Sequence, residues 1–249
     1  MDKSLIDEVK KKKVFSKIPD ELVWKFLRKN KLNIKETRSD IRKFLGVFLT
    51  NKVLKKNDES ILRNHISSKN RDYSKFYEAI SEVSGAVKNI VDLGAGINGF
   101  SYNFLTKYFG DVNYIGFEAA GQLVDKTNVY FFENKLAKAR VLHKDISEGD
   151  FVKKHLSHIS GRKIILMLQI VDALENIKRD FSKDFLLSLR RILSKEDFIV
   201  ITMPLKSISG RKRFEAQRTW LVKFLEKNFE IKKNTDIDNE KLIIIGKGI

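Results

Sequence analysis

The sequence predicts an α/β protein, with a helical front over residues 1–75 followed, over residues 76–249, by a mostly parallel sheet that carries helices on both faces. Three observations lead there. Apolar residues recur at helical spacing through the first 75 positions with no strand signal among them. From about residue 88, short β-rich apolar runs alternate with amphipathic stretches, the pattern of strands joined by crossover helices. The closing segment, "FEIKKNTDIDNEKLIIIGKG", holds two extended runs about Asp238-Asn239 with no room for a crossover, so it is expected to end the sheet as an antiparallel hairpin.

The elements follow in order. In the front, "DELVWKFLRKN" places Leu22, Val23, Phe26 and Leu27 on one face, and "SDIRKFLGVFL" repeats that spacing behind an expected cap at Ser39-Asp40. The strands are read in "NIVDLG", "VNYIGFE", "ARVLHKD", "KIILMLQI" and "DFIVITMP". Two Pro, 13 Gly and no low-complexity linker imply a front packed on the sheet domain instead of tethered to it.

Composition narrows the function. With 42% apolar residues and 18 Phe, 249 residues can fill a sizeable core. A net charge of +17 points to a polyanionic partner, and the first 75 residues, with 21 basic and 10 acidic side chains, hold +11 of it. The absence of cysteine excludes disulfides, thiolate metal sites and a cysteine nucleophile. The four His residues show no ligand spacing, so no metal is expected. "MDKSLIDEVKKKKVF" has acids and lysines where a signal peptide needs an apolar stretch, and no run approaches the roughly 18 apolar residues of a spanning helix. A cytoplasmic protein without membrane contact is expected, and a monomer.

The chemistry centres on "IVDLGAGINGF", where Gly94-Ala95-Gly96-Ile97-Asn98-Gly99 is a G-x-G-x-x-G turn directly after an apolar run. Such a turn lets backbone approach a nucleotide-like ligand, and its neighbours decide which. Asp92 precedes the first glycine by two residues, where a carboxylate suits a ligand ammonium and repels a pyrophosphate. Glu118 ends the next strand and can accept both hydroxyls of a ribose. Asp145 follows the third strand, in reach of an adenine amino group. Three acids at three consecutive strand ends favour S-adenosylmethionine over NAD. Ala119 beside Glu118 and Gln169 after the fourth strand are added to the expected cofactor set.

What is missing limits the acceptor. Methylation at carbon 5 of a pyrimidine needs a cysteine. Methylation of an exocyclic amine usually involves an Asn/Asp-Pro-Pro-aromatic turn, but here Gln169-Ile170-Val171-Asp172-Ala173 has no Pro. A ring nitrogen such as guanine N7 carries an in-plane lone pair and no proton, so it needs positioning but no general base.

Three motifs in order give the chain a family resemblance: Ser67-Ser68-Lys69-Asn70-Arg71, "VDLGAGIN", and "PLKSISGRKRFEA" from Pro204 to Ala216. From about residue 55 onward it resembles the Arm-type aminoglycoside-resistance 16S ribosomal RNA guanine-N7 methyltransferases. The resemblance implies a Rossmann-like class I S-adenosylmethionine-dependent methyltransferase sheet behind a basic helical RNA-docking domain, acting on 16S rRNA in the small ribosomal subunit. It implies that Arg71 pairs with the methionine carboxylate, that Asp92 with the backbone of Gly94, Ala95 and Gly96 holds the amino-acid end, that Glu118 holds the ribose, and that Asp145 with the Ile146 amide holds the adenine. Lys206, Ser207, Arg211, Lys212 and Arg213 are then expected on a loop against the target RNA. Lys10 to Lys13 are expected to dock on RNA phosphates. Asp92→Ala and Arg71→Ala are expected to abolish donor binding with the fold intact, as changes at the rim of the sheet.

The sequence departs from the family where it has Asn98-Gly99 for Asn-Pro, Asn70 for an acid, Gln169 for a Lys, and Arg218 without a nearby Tyr. These departures touch target-side positions more than the cofactor frame. Methylation of another rRNA or tRNA base and non-catalytic RNA binding stand as the alternatives, with an NAD-linked reductase opposed by Asp92 and by the basic charge.

Overall fold

The computed structural model describes residues 1–46, 53, 55–64, 69–205 and 219–248. The front holds helices α1 (Lys3–Lys10), α2 (Asp20–Lys29) and α3 (Ile34–Ile41), then a π-helical turn, Arg42–Gly46, and a 3-10 turn, Glu59–Arg63. Helix α1 is capped by Asp2, whose carboxylate accepts from the Leu5 amide. The expected cap at Ser39-Asp40 is not formed. Asn33 caps α3 instead, accepting from the Glu36 amide, and Ser39 and Asp40 lie inside the helix. A cap needs a free amide two or three residues on, and the amides after Ser39 already belong to a running helix.

Behind the front come α4 (Tyr73–Ser84), β1 (Asn89–Leu93), α5 (Tyr102–Phe109), β2 (Asn113–Glu118), α6 (Gly121–Glu133), β3 (Ala139–His143) and α7 (Gly149–Ser157). They continue with β4 (Lys163–Leu168), α8 (Val171–Ile177), α9 (Phe181–Ile192), β5 (Phe198–Pro204), α10 (Thr219–Asn228), β6 (Glu230–Ile237) and β7 (Glu240–Gly246). The seven strands form one sheet in the order β3-β2-β1-β4-β5-β7-β6. Strands β1 to β5 are parallel, and β7 runs antiparallel between β5 and β6. The hairpin turns at Asp238-Asn239, with Asp238 in the left-handed region at φ 53°.

Side chains alternate across the strands, so each face has its own core. Ile90, Tyr114, Ile164 and Val200 pack under α4, α5 and α6, joined by Ile61 and Leu62 of the 3-10 turn. Val91, Leu93, Phe117, Met167 and Ile199 pack under α7, α9 and α10. A third cluster belongs to the front, where Leu22, Val23, Phe26 and Leu27 are buried with Ile6, Phe15 and Ile41. It touches the sheet domain at Ala119, and the Gly121 amide donates to the Lys17 carbonyl at 2.8 Å. Strand order reverses between β1 and β4, and a crevice opens there beyond the carboxyl ends of the strands.

Candidate active site

That crevice is a cleft of about 910 Å³, counting its space open to solvent. Arg71, Gly94, Ala95, Gly96, Glu118, Ala119, Asp145, Ile146 and Gln169 all line it, so nine of the ten expected cofactor positions converge. The exception is Asp92. It is the fourth residue of β1 and shares the strand face of Ile90, so it lies fully buried among side chains under α4 and α5 and not on the cleft wall.

The glycine turn is built for close approach. Gly94 has φ 74°, and a Cβ there would meet Ile170 Cγ2 at 2.7 Å. The Gly94 and Ala95 amides donate to the Phe117 carbonyl at 2.9 Å, tying the turn to β2. Glu118 completes the tie, since Oε2 accepts from the Gly96 amide at 2.8 Å and Oε1 from the Ala120 amide at 2.7 Å. Each oxygen keeps one lone pair, enough for one hydroxyl apiece.

Asp92 Oδ2 accepts from Asn98 Nδ2 and from the Tyr114 hydroxyl, both at 2.7 Å. Its Oδ1 is buried with no partner among the described residues. Burial pushes the carboxyl up to about 6, against the lowering effect of these two donors and of Arg71. An orphaned buried carboxylate oxygen is costly alone and fits a cation that arrives with a ligand. Glu118 is also raised, chiefly by burial.

Asp145 is buried at the other end. Its Oδ1 accepts from the Ser147 amide at 2.9 Å, and its Oδ2 meets the Ser147 hydroxyl and Lys25 Nζ, the latter at 3.1 Å. One lone pair of Oδ1 is left for a ligand amine. Lys25 belongs to α2, so the front reaches into the site. It also supplies Phe44 and Leu45 to the cleft wall, facing a lining that includes Leu168, Ile170, Ala173 and Leu174. Gln169 sits in the left-handed region at φ 58°, its amide donating to the Thr202 carbonyl at 3.0 Å. A non-glycine residue held there is backbone strain in the cleft wall.

Arg71 is buried and already paired. Its Nη2 donates to Glu240 Oε2 at 2.7 Å and Oε1 at 3.0 Å, and its Nε to Oε1 at 3.2 Å. The reading of Arg71 and Asp92 as rim residues is therefore corrected, because both sit in the interior. Lys206, Ser207, Arg211, Lys212 and Arg213 lie outside the described residues, as do Ser67 and Ser68 of the first motif. In the lysine run, Lys10 pairs with Asp20 at 2.6 Å and Lys11 with Glu8, whereas Lys12 and Lys13 make no ion pair among the described residues. No group of His, Asp or Glu able to hold a metal occurs among the described residues, and no helix there is long and apolar enough to cross a membrane.

No family model matches the chain. Over 194 residues it is 31% identical to the 16S rRNA (guanine(1405)-N(7))-methyltransferase of Proteus mirabilis, a match that covers 75% of this chain. The chain is a distant homologue of that methyltransferase. It spans 59% of the relative's length. Among solved structures, the 16S rRNA methyltransferase RmtF in complex with S-adenosyl-L-homocysteine matches with a TM-score of 0.77 at 17% identity, over 98% of this chain and 97% of that one. The 16S rRNA methylase ArmA matches with a TM-score of 0.56 at 22% identity, over 77% and 90% of the two chains. These likenesses establish the fold of the homologue as the Rossmann-like class I methyltransferase sheet that the sequence predicts. One departure from the family has a local cause. A Cβ at Gly99 would meet Thr127 Cγ2 at 2.5 Å and Phe131 Cζ at 2.8 Å, so helix α6 of this chain fills the space a proline ring would take.

Proposed function

We propose that this methyltransferase homologue transfers a methyl group from S-adenosylmethionine to N7 of a guanine in 16S ribosomal RNA of the small subunit, the modification type associated with aminoglycoside resistance. The observation that carries this reading is the spare hydrogen-bonding capacity of three carboxylates, Glu118 and Asp145 on the cleft wall and Asp92 buried at the strand end behind it. Asp92 Oδ1 has no partner, and Glu118 and Asp145 each keep acceptor capacity after holding their own backbone.

In this reading Asp92 takes the ammonium of the donor, Arg71 its carboxylate, Glu118 the ribose hydroxyls, and Asp145 with the Ile146 amide the adenine. Phe44, Leu45, Leu168, Ile170 and Leu174 supply apolar contact to the adenine plane. The donor, when bound, supplies an electrophilic methyl group on a sulfonium centre. The work of the protein is positioning. Among the described residues the cleft lining has no histidine, and its carboxylates are tied to backbone amides, which suits an acceptor nitrogen with a free lone pair and no proton to remove. Lys206, Ser207, Arg211, Lys212 and Arg213 are proposed to meet the RNA, and Lys12 and Lys13 to dock on its phosphates. No metal is required by this chemistry, and a monomer is proposed.

The test is methyl transfer from labelled S-adenosylmethionine to small ribosomal subunits, free 16S rRNA and transfer RNA, followed by borohydride and aniline cleavage. Label on subunits with cleavage at one guanine is expected. Label without cleavage moves the methyl to another atom, and no label on any substrate, with the donor bound, leaves an RNA-binding protein.

A further inference from the structure

The C-terminal hairpin meets the cleft wall indirectly, through a pair between Glu240 and the lining residue Arg71. Glu240 opens β7, is buried, and holds the Nε and Nη2 edge of Arg71 in a bidentate pair. The guanidinium lies over Phe76, with 4.8 Å to the ring centroid, and near Tyr73 at 5.4 Å, so its plane is fixed from a second direction. Arg71 nevertheless lines the cleft, and its Nη1 makes no hydrogen bond among the described residues. The hairpin holds the next residue as well, because the Asp72 amide donates to Asp238 Oδ2 at 2.8 Å. Glu240 is itself anchored across the sheet opposite Pro204, and the Leu205 amide donates to the Asn239 carbonyl at 2.8 Å.

We propose that Glu240 is a positioning residue for donor binding: it spends one edge of the Arg71 fork so that the remaining edge is presented, rigid, to the carboxylate of the bound amino-acid moiety. This rests on the reading that the cleft takes S-adenosylmethionine. A guanidinium has five N–H donors in one plane, so fixing Nε and Nη2 leaves Nη1 oriented with no rotamer freedom to lose on binding. An Arg71 without Glu240 must be ordered by the ligand at the moment of binding. The opposite role, Glu240 competing with the ligand for Arg71, predicts the opposite sign.

The experiment uses the full chain and two ligands, S-adenosylhomocysteine and 5′-methylthioadenosine, which lacks the amino-acid end. Calorimetric affinities are measured for wild type and Glu240→Gln. Positioning predicts about a tenfold or greater loss for S-adenosylhomocysteine, the scale of losing an outer partner of a binding group, and no change for methylthioadenosine. Unchanged or tighter S-adenosylhomocysteine binding, or an equal loss for both ligands in a variant that melts cooperatively, overturns the proposal. Where Glu240→Gln does not fold, Glu240→Asp, which keeps the charge on a shorter arm, is read by the same two ligands and the same criteria. Wild type that binds neither ligand overturns the donor reading and this inference together. Wild type that binds both, beside a variant that also binds both normally, overturns this inference alone.

Discussion

At the scale of single residues, the two groups read as rim residues in the sequence are interior ones, and this changes what their variants do. Removing Arg71 leaves Glu240 buried without its cation, so Arg71→Ala should lower the unfolding free energy by about 3–5 kcal/mol in addition to weakening the donor. Urea denaturation checks this, and the double variant Arg71→Ala/Glu240→Ala should regain part of the loss. Asp92 titrates at about 6, above its ordinary value of about 3.9, because burial disfavours its charged form. Its contribution to the stability of the free protein is therefore unfavourable and grows as pH rises from about 4 to 6, to a cost of about 3 kcal/mol above that window. An ammonium beside Oδ1 selects the ionised form. Affinity for S-adenosylhomocysteine should then be full above about pH 6 and fall by up to about tenfold per pH unit below it. Asp92→Asn should bind weakly with a flatter profile, and a wild-type profile that is level from pH 5 to 8 contradicts the ammonium role. Glu118, also raised, adds any residual slope seen in the variant. The three acids stood out in the sequence because they fall at successive strand ends, and the structure puts Glu118 and Asp145 on the cleft wall and Asp92 behind it. Their partners were not, since the pairing of Arg71 with Glu240 joins positions 169 apart and depends on a hairpin register that no local pattern encodes.

Among the elements, the strands and their order of appearance could be read from alternating runs, and the final hairpin from the lack of room for a helix. The placement of β7 between β5 and β6 brings Glu240 opposite Pro204, at the end of β5. Helix α2 and the turn after α3 were read only as an apolar face and a basic front. In the folded chain they also wall the cleft, through Phe44, Leu45 and the Lys25 pair with Asp145. Their spacing resembles that of any core-facing helix, so the sequence carried no signal for this second role. Phe44→Ala should weaken both S-adenosylhomocysteine and methylthioadenosine by about tenfold, since the wall is on the nucleoside side and a lost aromatic contact is worth about 1–3 kcal/mol. Phe44 also packs on Phe26, at 5.4 Å between ring centroids, so a melting curve accompanies the titration. Affinity retained for both ligands, with the fold intact, would remove Phe44 from the cleft.

For the molecule as a whole, the charge of +17 is the dominant long-range term. Binding to small subunits should weaken steeply as salt rises, with a log–log slope of about −5 or steeper if six or more phosphates are met, whereas binding of the small donor should barely respond. Titrations at several salt concentrations check both, and a slope near about −1 contradicts broad phosphate docking. The front that carries most of this charge is joined to the sheet domain at few but specific places. The Gly121 amide meets the Lys17 carbonyl, Gln122 Nε2 meets the Lys13 carbonyl at 3.1 Å, and Lys25 meets Asp145. All three partners lie about a hundred residues or more further along the chain. A growing chain emerges front first, yet the surface on which the front settles is not translated until residues 119 to 145 have followed it. The front helices thus wait for that surface before they can reach their final place, and the cleft is walled only when they do.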